Sequence, residues 1–318
     1  MMTDTTQQKR SADVPLIDLG EIGLEHKDEP SEEEWQRVAR QMYDALTTLG
    51  CAYLIEHGIP KDEMESTLAS GKTFFNLDQD TKNRYERDFI TFQGYVASDT
   101  ENYDNAHELH EGFTFHTERS RFPDEEVPSL RRNSIPFLKS CKTLAYRLMT
   151  TLSLSLGLER EYFSSMHKGI KNSSTSIRIN YYPPLSKNSL LPDTTRFGAH
   201  CDFTTFTLLF QDDVGGLQAS DQEGQWLDVD PLPNAVLFIL GDYGKFYSDD
   251  KFISFRHRVV IPENEVLWDK PRMSMAFFVA PDDETPLKTK SKSSMMGFKT
   301  IWEYAYEMMM KPYREIKE

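Results

Sequence analysis

From Ser176 onward the chain breaks into short runs of β-branched and aromatic residues, each cut off by Gly, Pro or Asp, and no other feature narrows its fold as far. Many short strands at such close spacing bury their apolar faces by stacking two sheets or closing a barrel. A chain of 318 residues is long enough to bury a sizeable core, and β folds of this length often form one unit. Ahead of the strands the pattern is helical. Ser31 and Glu34 make a capping box for a helix over Ser31 to Leu49, with Trp35, Val38, Met42, Ala45 and Leu46 along one face and Gly50 closing it. A second helix is expected from Lys61 to about Phe75. A third is expected over Ser134 to Leu156, with Pro136 in its first turn and Gly157 at its end. Their apolar stripes read as core, and Cys141 among them as a small buried hydrophobe.

Composition excludes several partners. A net charge of −15 argues against nucleic acid or an anionic membrane, both of which demand a basic face. No apolar run is long enough for a membrane span, and MMTDTTQQKRSAD lacks the apolar stretch of a signal peptide. Three cysteines, Cys51, Cys141 and Cys201, with no C-x-x-C pair, favour a reduced, cytoplasmic protein. A monomer or weak homo-oligomer is expected.

Within the β region, RFGAHCDFTTFTLLFQDDVGGLQ places His200 and Asp202 two residues apart at the entry of a strand, where i and i+2 share a face. An imidazole and a carboxylate so placed can hold one metal ion. His257, in SFRHRVV, is the candidate third ligand, brought alongside by antiparallel pairing. Two histidines and one carboxylate leave an open face, as non-haem iron(II) oxygenases require. The bland alternative is a pair of polar residues at a strand end. His26 with Asp28, and His116 with Glu118, have the same spacing, but neither leads into a β run with a glycine turn.

Further on, PRMSMAFFVA puts Arg272 and Ser274 on one face, and an arginine turned into a sheet must meet an anion. Its fork with a nearby hydroxyl suits a carboxylate. In SIRINYYPP, Asn180 and Tyr182 share a face and could join them. HELHE sets His107 and His110 three apart, a spacing open to zinc on a helical turn, though a solvated or lid role is the plainer reading. His57 reads as a structural hydrogen-bonder. Phe203, Tyr95, Phe113 and Phe115 are candidates for a substrate wall or for core. LKTKSKSSMMG, Leu287 to Gly297, reads as a mobile basic loop, and Ile301, Trp302, Ala305, Met308 and Met309 as a last helix.

The ordered motifs RINYYPP, GAHCD, GLQ, W-x-x-V-x-P (Trp226, Val229, Pro231), GDY, HRVV and RMS resemble the core of the iron(II)- and 2-oxoglutarate-dependent oxygenases, in the isopenicillin N synthase-like branch. VPLIDLG, GCAYLIEHGIP, FFNLDQDTKNRY and QGY resemble that family's N-terminal segment. The resemblance implies an α+β fold: a double-stranded β-helix (jelly-roll, cupin-like) core flanked by helices. It divides the chain into a loose stretch over 1–13, an N-terminal segment over 14–125, a helical linker over 126–175, the core over 176–282, and a loop with a C-terminal helix over 283–318. It further implies Fe(II) at His200, Asp202 and His257, and 2-oxoglutarate at Arg272, Ser274, Tyr182 and Asn180. O2 is then the co-substrate, and a small molecule is hydroxylated, desaturated or cyclised. Two alternatives stay open, an iron oxidase that does not use 2-oxoglutarate and a non-catalytic binding module. The long loop IPENEVLWDK, and SDDKF where many members have an asparagine-glycine turn, depart from the family pattern.

Overall fold

The computed structural model describes residues 11–101, 103, 106–168, 175–186, 190–191, 193–287 and 297–314. Most of the loose N-terminal stretch and of the basic loop after Leu287 lies outside these. The chain opens with β1 (Leu16–Asp18), α1 (Glu32–Thr48), β2 (Cys51–Ile55), α2 (Lys61–Phe75) and the short α3 (Gln79–Asn83). Ser31 caps α1, its Oγ accepting the Glu34 N–H at 3.3 Å. Gly50, at φ +79°, then turns the chain into β2.

Next come β3 (Gly94–Val96), β4 (His107–Glu108), β5 (Glu111–Phe115) and the long α4 (Pro128–Ser155). Helix α4 begins at Pro128 rather than Ser134, so Pro128 takes the first-turn place and Pro136 lies inside the helix. The Pro136 ring costs one hydrogen bond to the carbonyl of Arg132. Arg132 is exposed and water can replace that bond, while Phe137, Leu138 and Cys141 just beyond are buried.

The β region supplies β6 (Ser176–Tyr182), β7 (Thr194–Thr195), β8 (Phe197–His200), β9 (Phe206–Gln211), β10 (Leu217–Ser220), β11 (Trp226–Asp228) and β12 (Val236–Leu240). After the short α5 (Asp242–Tyr247) follow β13 (His257–Val259), β14 (Arg272–Val279) and the terminal α6 (Ile301–Arg314). Asp249 and Asp250, at φ 58° and 60°, turn the chain left-handed where the SDDKF departure falls; aspartate tolerates that region better than most residues.

Two sheets face each other. The larger runs β1-β2-β12-β9-β14-β6-β5-β3 and the smaller β11-β10-β13-β8. The outer face of the large sheet packs on α1, α2 and α4 through Phe74, Phe137, Leu144, Phe206 and Phe210. Leu209, Leu217, Leu237, Val259 and Ala276 line the space between the sheets. The architecture is the jelly roll with helices on one side.

The aromatic, acidic segment after Ile90 is not a free loop. Strands β3 and β5 extend the large sheet, with β5 pairing β6. Phe113 and Phe115 are fully buried, Phe113 against Phe74 and Phe122 and Phe115 against Phe122, and Tyr95 is buried against Phe74. Alternation along β5 sends these phenylalanines to the helices and turns Thr114 and His116 toward the interior.

Candidate metal and cosubstrate site

Strands β8 and β13 pair antiparallel with His257 opposite His200, so the two rings stand 4.3 Å apart between centroids. Asp202 comes from just beyond β8. The strand ends at His200, and the chain crosses at Cys201–Thr205 from the small sheet to β9 in the large one. The aspartate therefore owes its place to a crossover, not to the i, i+2 alternation of one strand. Its Oδ1 lies 3.6 Å from His200 Nε2 and 3.9 Å from His257 Nε2. Among the described residues these three are the one group of His, Cys, Asp and Glu able to hold a metal ion.

The other ends of all three side chains are occupied. His200 Nδ1 faces the Gly198 carbonyl at 2.8 Å, and His257 Nδ1 the Phe255 carbonyl at 3.1 Å. A carbonyl only accepts, so both protons sit on Nδ1, and both Nε2 lone pairs turn to the cavity. Thr207 Oγ1 donates to Asp202 Oδ2 at 2.6 Å, which leaves Oδ1 free. Burial, with His257 beside it, holds the His200 imidazole down at about 4, so it meets a cation unprotonated at neutral pH.

Along the large sheet, β14 and β6 pair in a register that stacks inward residues in rungs: Arg272 opposite Tyr182, Ser274 opposite Asn180, Ala276 opposite Arg178. Arg272 is buried. Its Nε donates to the Gly215 carbonyl at 2.8 Å, Nη2 to Gln211 Oε1 at 2.9 Å and Nη1 to Ser274 Oγ at 3.4 Å. Its guanidinium lies 4.7 Å from the Tyr182 ring centroid, so Tyr182 supports the cation with its face. Asn180 Oδ1 accepts from Arg178 Nε at 2.8 Å and is committed there. Arg196 was not singled out from the sequence, yet it is fully buried and none of its guanidinium nitrogens has a hydrogen-bond partner. Burial, then the charge of Arg272, pushes its pKa down to about 10.

His200, Asp202, His257, Tyr182, Asn180, Arg178, Arg272 and Ser274 border a cavity of about 370 Å³ between the sheets, and Arg196 and Gln211 do not. Phe203 lines it, while Tyr95, Phe113 and Phe115 do not. Trp302 and Met309 bring α6 across one side. His107 and His110 go separate ways: the exposed His107 pairs with Asp99, and the buried His110 stacks on Phe197 at 4.2 Å. His57 Nδ1 accepts the Ile59 N–H at 3.1 Å, a structural role.

Residues 173–281 match the model of the 2OG-Fe(II) oxygenase superfamily, and residues 14–136 match the N-terminal model of the non-haem dioxygenases in morphine synthesis. Gibberellin 20 oxidase 1 of Arabidopsis thaliana is 31% identical over 281 residues, covering 85% of this chain and 70% of that protein. The chain belongs to the 2OG-Fe(II) oxygenase superfamily. Flavonol synthase 1 of Crocosmia × crocosmiiflora is 28% identical, over 88% of this chain and 83% of its own. Among solved structures, a full-length Neurospora crassa protein in complex with alpha-KG and thymine superposes with a TM-score of 0.80 at 25% identity, covering 94% of this chain and 97% of that one. JOX2 with 2OG, iron and JA has the same fold, with a TM-score of 0.73 at 23% identity over 94% of this chain and 86% of its own. As a member of this superfamily the protein is an oxidoreductase, and its cofactors are iron(II) and 2-oxoglutarate. No described helix is long and apolar enough to cross a membrane.

Of the charged residues at the cavity, Arg178, Arg87, Glu101 and Asp283 escaped the sequence reading. Arg178 carried a signal, since it precedes Asn180 by two in the same strand and must share its face. Arg87 and Glu101 come from irregular segments with no period to mark them.

Proposed function

We propose that the protein is a dioxygenase in which His200, Asp202 and His257 hold iron(II), Arg272 and Ser274 receive the distal carboxylate of 2-oxoglutarate, and a small organic substrate is oxidised. The observation that carries this is the committed state of the ligand side chains. Both Nδ1 atoms and Asp202 Oδ2 are engaged, so the remaining two nitrogens and one oxygen converge on a single point. Such a donor set fits a borderline divalent ion and keeps coordination positions open.

Iron(II) and 2-oxoglutarate, when bound, supply an oxidant from dioxygen, the keto acid leaving as succinate and carbon dioxide. The chain's own part is placement. Arg272 is buried, braced by Gly215 and Gln211, and presents its fork without having to be ordered on binding. Tyr182 holds it from the ring face and Asn180 fixes the neighbouring Arg178. The walls between the sheets exclude water from the reacting groups. Thymine and 5-formyluracil in the N. crassa structures are small molecules, and a small molecule is the substrate class proposed here. Hydroxylation, desaturation and cyclisation draw on the same placement.

The test is an anaerobic titration of metal-free protein with iron(II) and then 2-oxoglutarate, followed by the visible charge-transfer band of the chelated keto acid. A saturable band is expected. His257→Ala should lose iron and band together. Arg272→Ala should keep iron but need roughly a hundredfold more 2-oxoglutarate, the scale of a buried charge-assisted pair. Iron binding without a band would favour the 2-oxoglutarate-independent oxidase. No iron binding would favour the binding module.

A further inference from the structure

Past Tyr182 and Asn180, the inward row of β6 continues to Arg178, and the cavity wall there is charged. Arg178 Nη2 donates to Glu101 Oε2 at 2.6 Å and Arg87 Nη1 to Glu101 Oε1 at 2.6 Å. Arg87 Nη2 reaches Thr114 Oγ1 at 3.2 Å, and Tyr313 OH donates to Glu101 Oε1 at 2.9 Å. Gly112 makes room for this. A Cβ there would fall 2.6–2.8 Å from the Arg178 guanidinium, so the cation lies flat against bare backbone. Arg87, Glu101 and Arg178 all line the cavity that holds the His–Asp–His group.

The charges do not balance. Two guanidiniums face one carboxylate, which Arg178 and Arg87 keep well below its ordinary value although burial opposes it. The nearby groups add no compensating charge. Burial pushes the Glu108 carboxyl up to about 8, keeps the His110 imidazole neutral, and raises the Tyr103 and Tyr313 hydroxyls out of reach. One positive charge is left over in a dry wall, and Arg87 Nε has no partner. An uncompensated buried cation is costly unless an anion joins it, and the space beside it is the cavity.

The opposite end is of the other sign. Asp283 lines the same cavity at the first turn of α6, where its carbonyl accepts the Trp302 N–H at 3.0 Å, and its Oδ1 has no partner. Burial, then Asp282 and Glu284, pushes its pKa up to about 6. Tyr313, in the last turn, touches the arginine cluster, so α6 separates the two ends by roughly 16 Å at 1.5 Å per residue. Phe203, Trp302 and Met309 supply an apolar wall.

We propose that the primary substrate is an organic acid, with its apolar body against Phe203, Trp302 and Met309 and one carboxylate received by Arg178 and Arg87. This rests on the oxygenase reading and goes on to name the substrate class. The carboxylate would lie against the cavity-facing edges of the two guanidiniums and bring the wall to neutrality, and Asp283 would repel it from the other end.

The experiment uses two acid and amide pairs of equal shape, phenylacetate with phenylacetamide and 4-phenylbutyrate with 4-phenylbutyramide. Each is titrated calorimetrically and anaerobically into protein saturated with iron(II) and 2-oxoglutarate. The acids should bind about tenfold or more tightly than their amides, the scale of one charge-assisted pair. Glu101→Gln, which leaves two uncompensated guanidiniums, should widen that ratio. Arg87→Gln, which leaves none, should bring it to about one. Acids that bind no tighter than their amides, or not at all, overturn the proposal, as does a ratio that Arg87→Gln leaves unchanged. Arg178→Gln repeats the test should Arg87→Gln fail to fold. The charge-transfer band is recorded first for every protein. Its absence counts against the oxygenase reading, and its presence without acid preference against the substrate class alone.

Discussion

At the scale of single residues, Glu108 shows how burial sets a proton. Its Oε1 accepts the Tyr103 N–H at 2.7 Å and the Gly198 N–H at 3.0 Å, while Oε2 has no partner. Burial outweighs both donors and moves the carboxyl from 4.5 up to about 8. A group whose value is raised in the folded state stabilises most below its unfolded pKa, and that stability is lost as pH climbs through the folded one. Glu108→Gln mimics the protonated form. Its advantage in unfolding free energy over the parent should be near zero at about pH 4.5 and grow to the order of a few kcal/mol by about pH 9. Urea unfolding across that range checks this, and a margin independent of pH would show that the buried proton is not its source.

At the scale of elements, α6 is tied at both ends by tyrosines. Tyr243 OH donates to the Ile301 carbonyl at 3.0 Å and Tyr304 OH to Asp242 Oδ2 at 2.8 Å, while Tyr313 reaches Glu101 at the far end. Tyr313→Phe should free only the last turn. Amide exchange at residues 310, 311 and 313 should accelerate by about tenfold or more, as expected for losing a hydrogen bond to a charged group. Residues 301–305 should be unchanged, and equal acceleration throughout would mean that α6 opens as one unit. Elements were also where the sequence was most legible. Ser31 with Glu34 and the apolar stripe marked α1, and the cut-up β runs marked two sheets, because capping and periodicity are local. Pairing of β8 with β13 could be anticipated from two histidine-bearing strands. The place of Asp202 beyond the strand could not, since only the tertiary path shows where the chain leaves one sheet for the other. Phe113 and Phe115 were ambiguous for the same reason: alternation gives two faces, and the neighbouring elements decide which one is inside.

At the scale of the whole molecule, the cavity lies between two sheets whose strands alternate along the chain, so whatever bridges them stabilises the fold as a unit. Manganese(II) can stand in for iron in air. With 2-oxoglutarate at a hundred times its dissociation constant, mass action adds about 2.7 kcal/mol to the unfolding free energy. The melting temperature should rise accordingly. 2-Oxopentanoate, which lacks the distal carboxylate, should give a much smaller rise at equal concentration, and an equal rise would remove Arg272 from the assignment. Each histidine of the proposed iron centre is oriented by a carbonyl two residues earlier in its own chain segment, and the aspartate by a threonine of the neighbouring strand. None of these orienting bonds depends on the ion. The proposed centre is thus a socket rather than a knot: stripping iron with a chelator should leave the surrounding polypeptide in shape, and a protein so emptied should be recharged by fresh iron rather than spoiled.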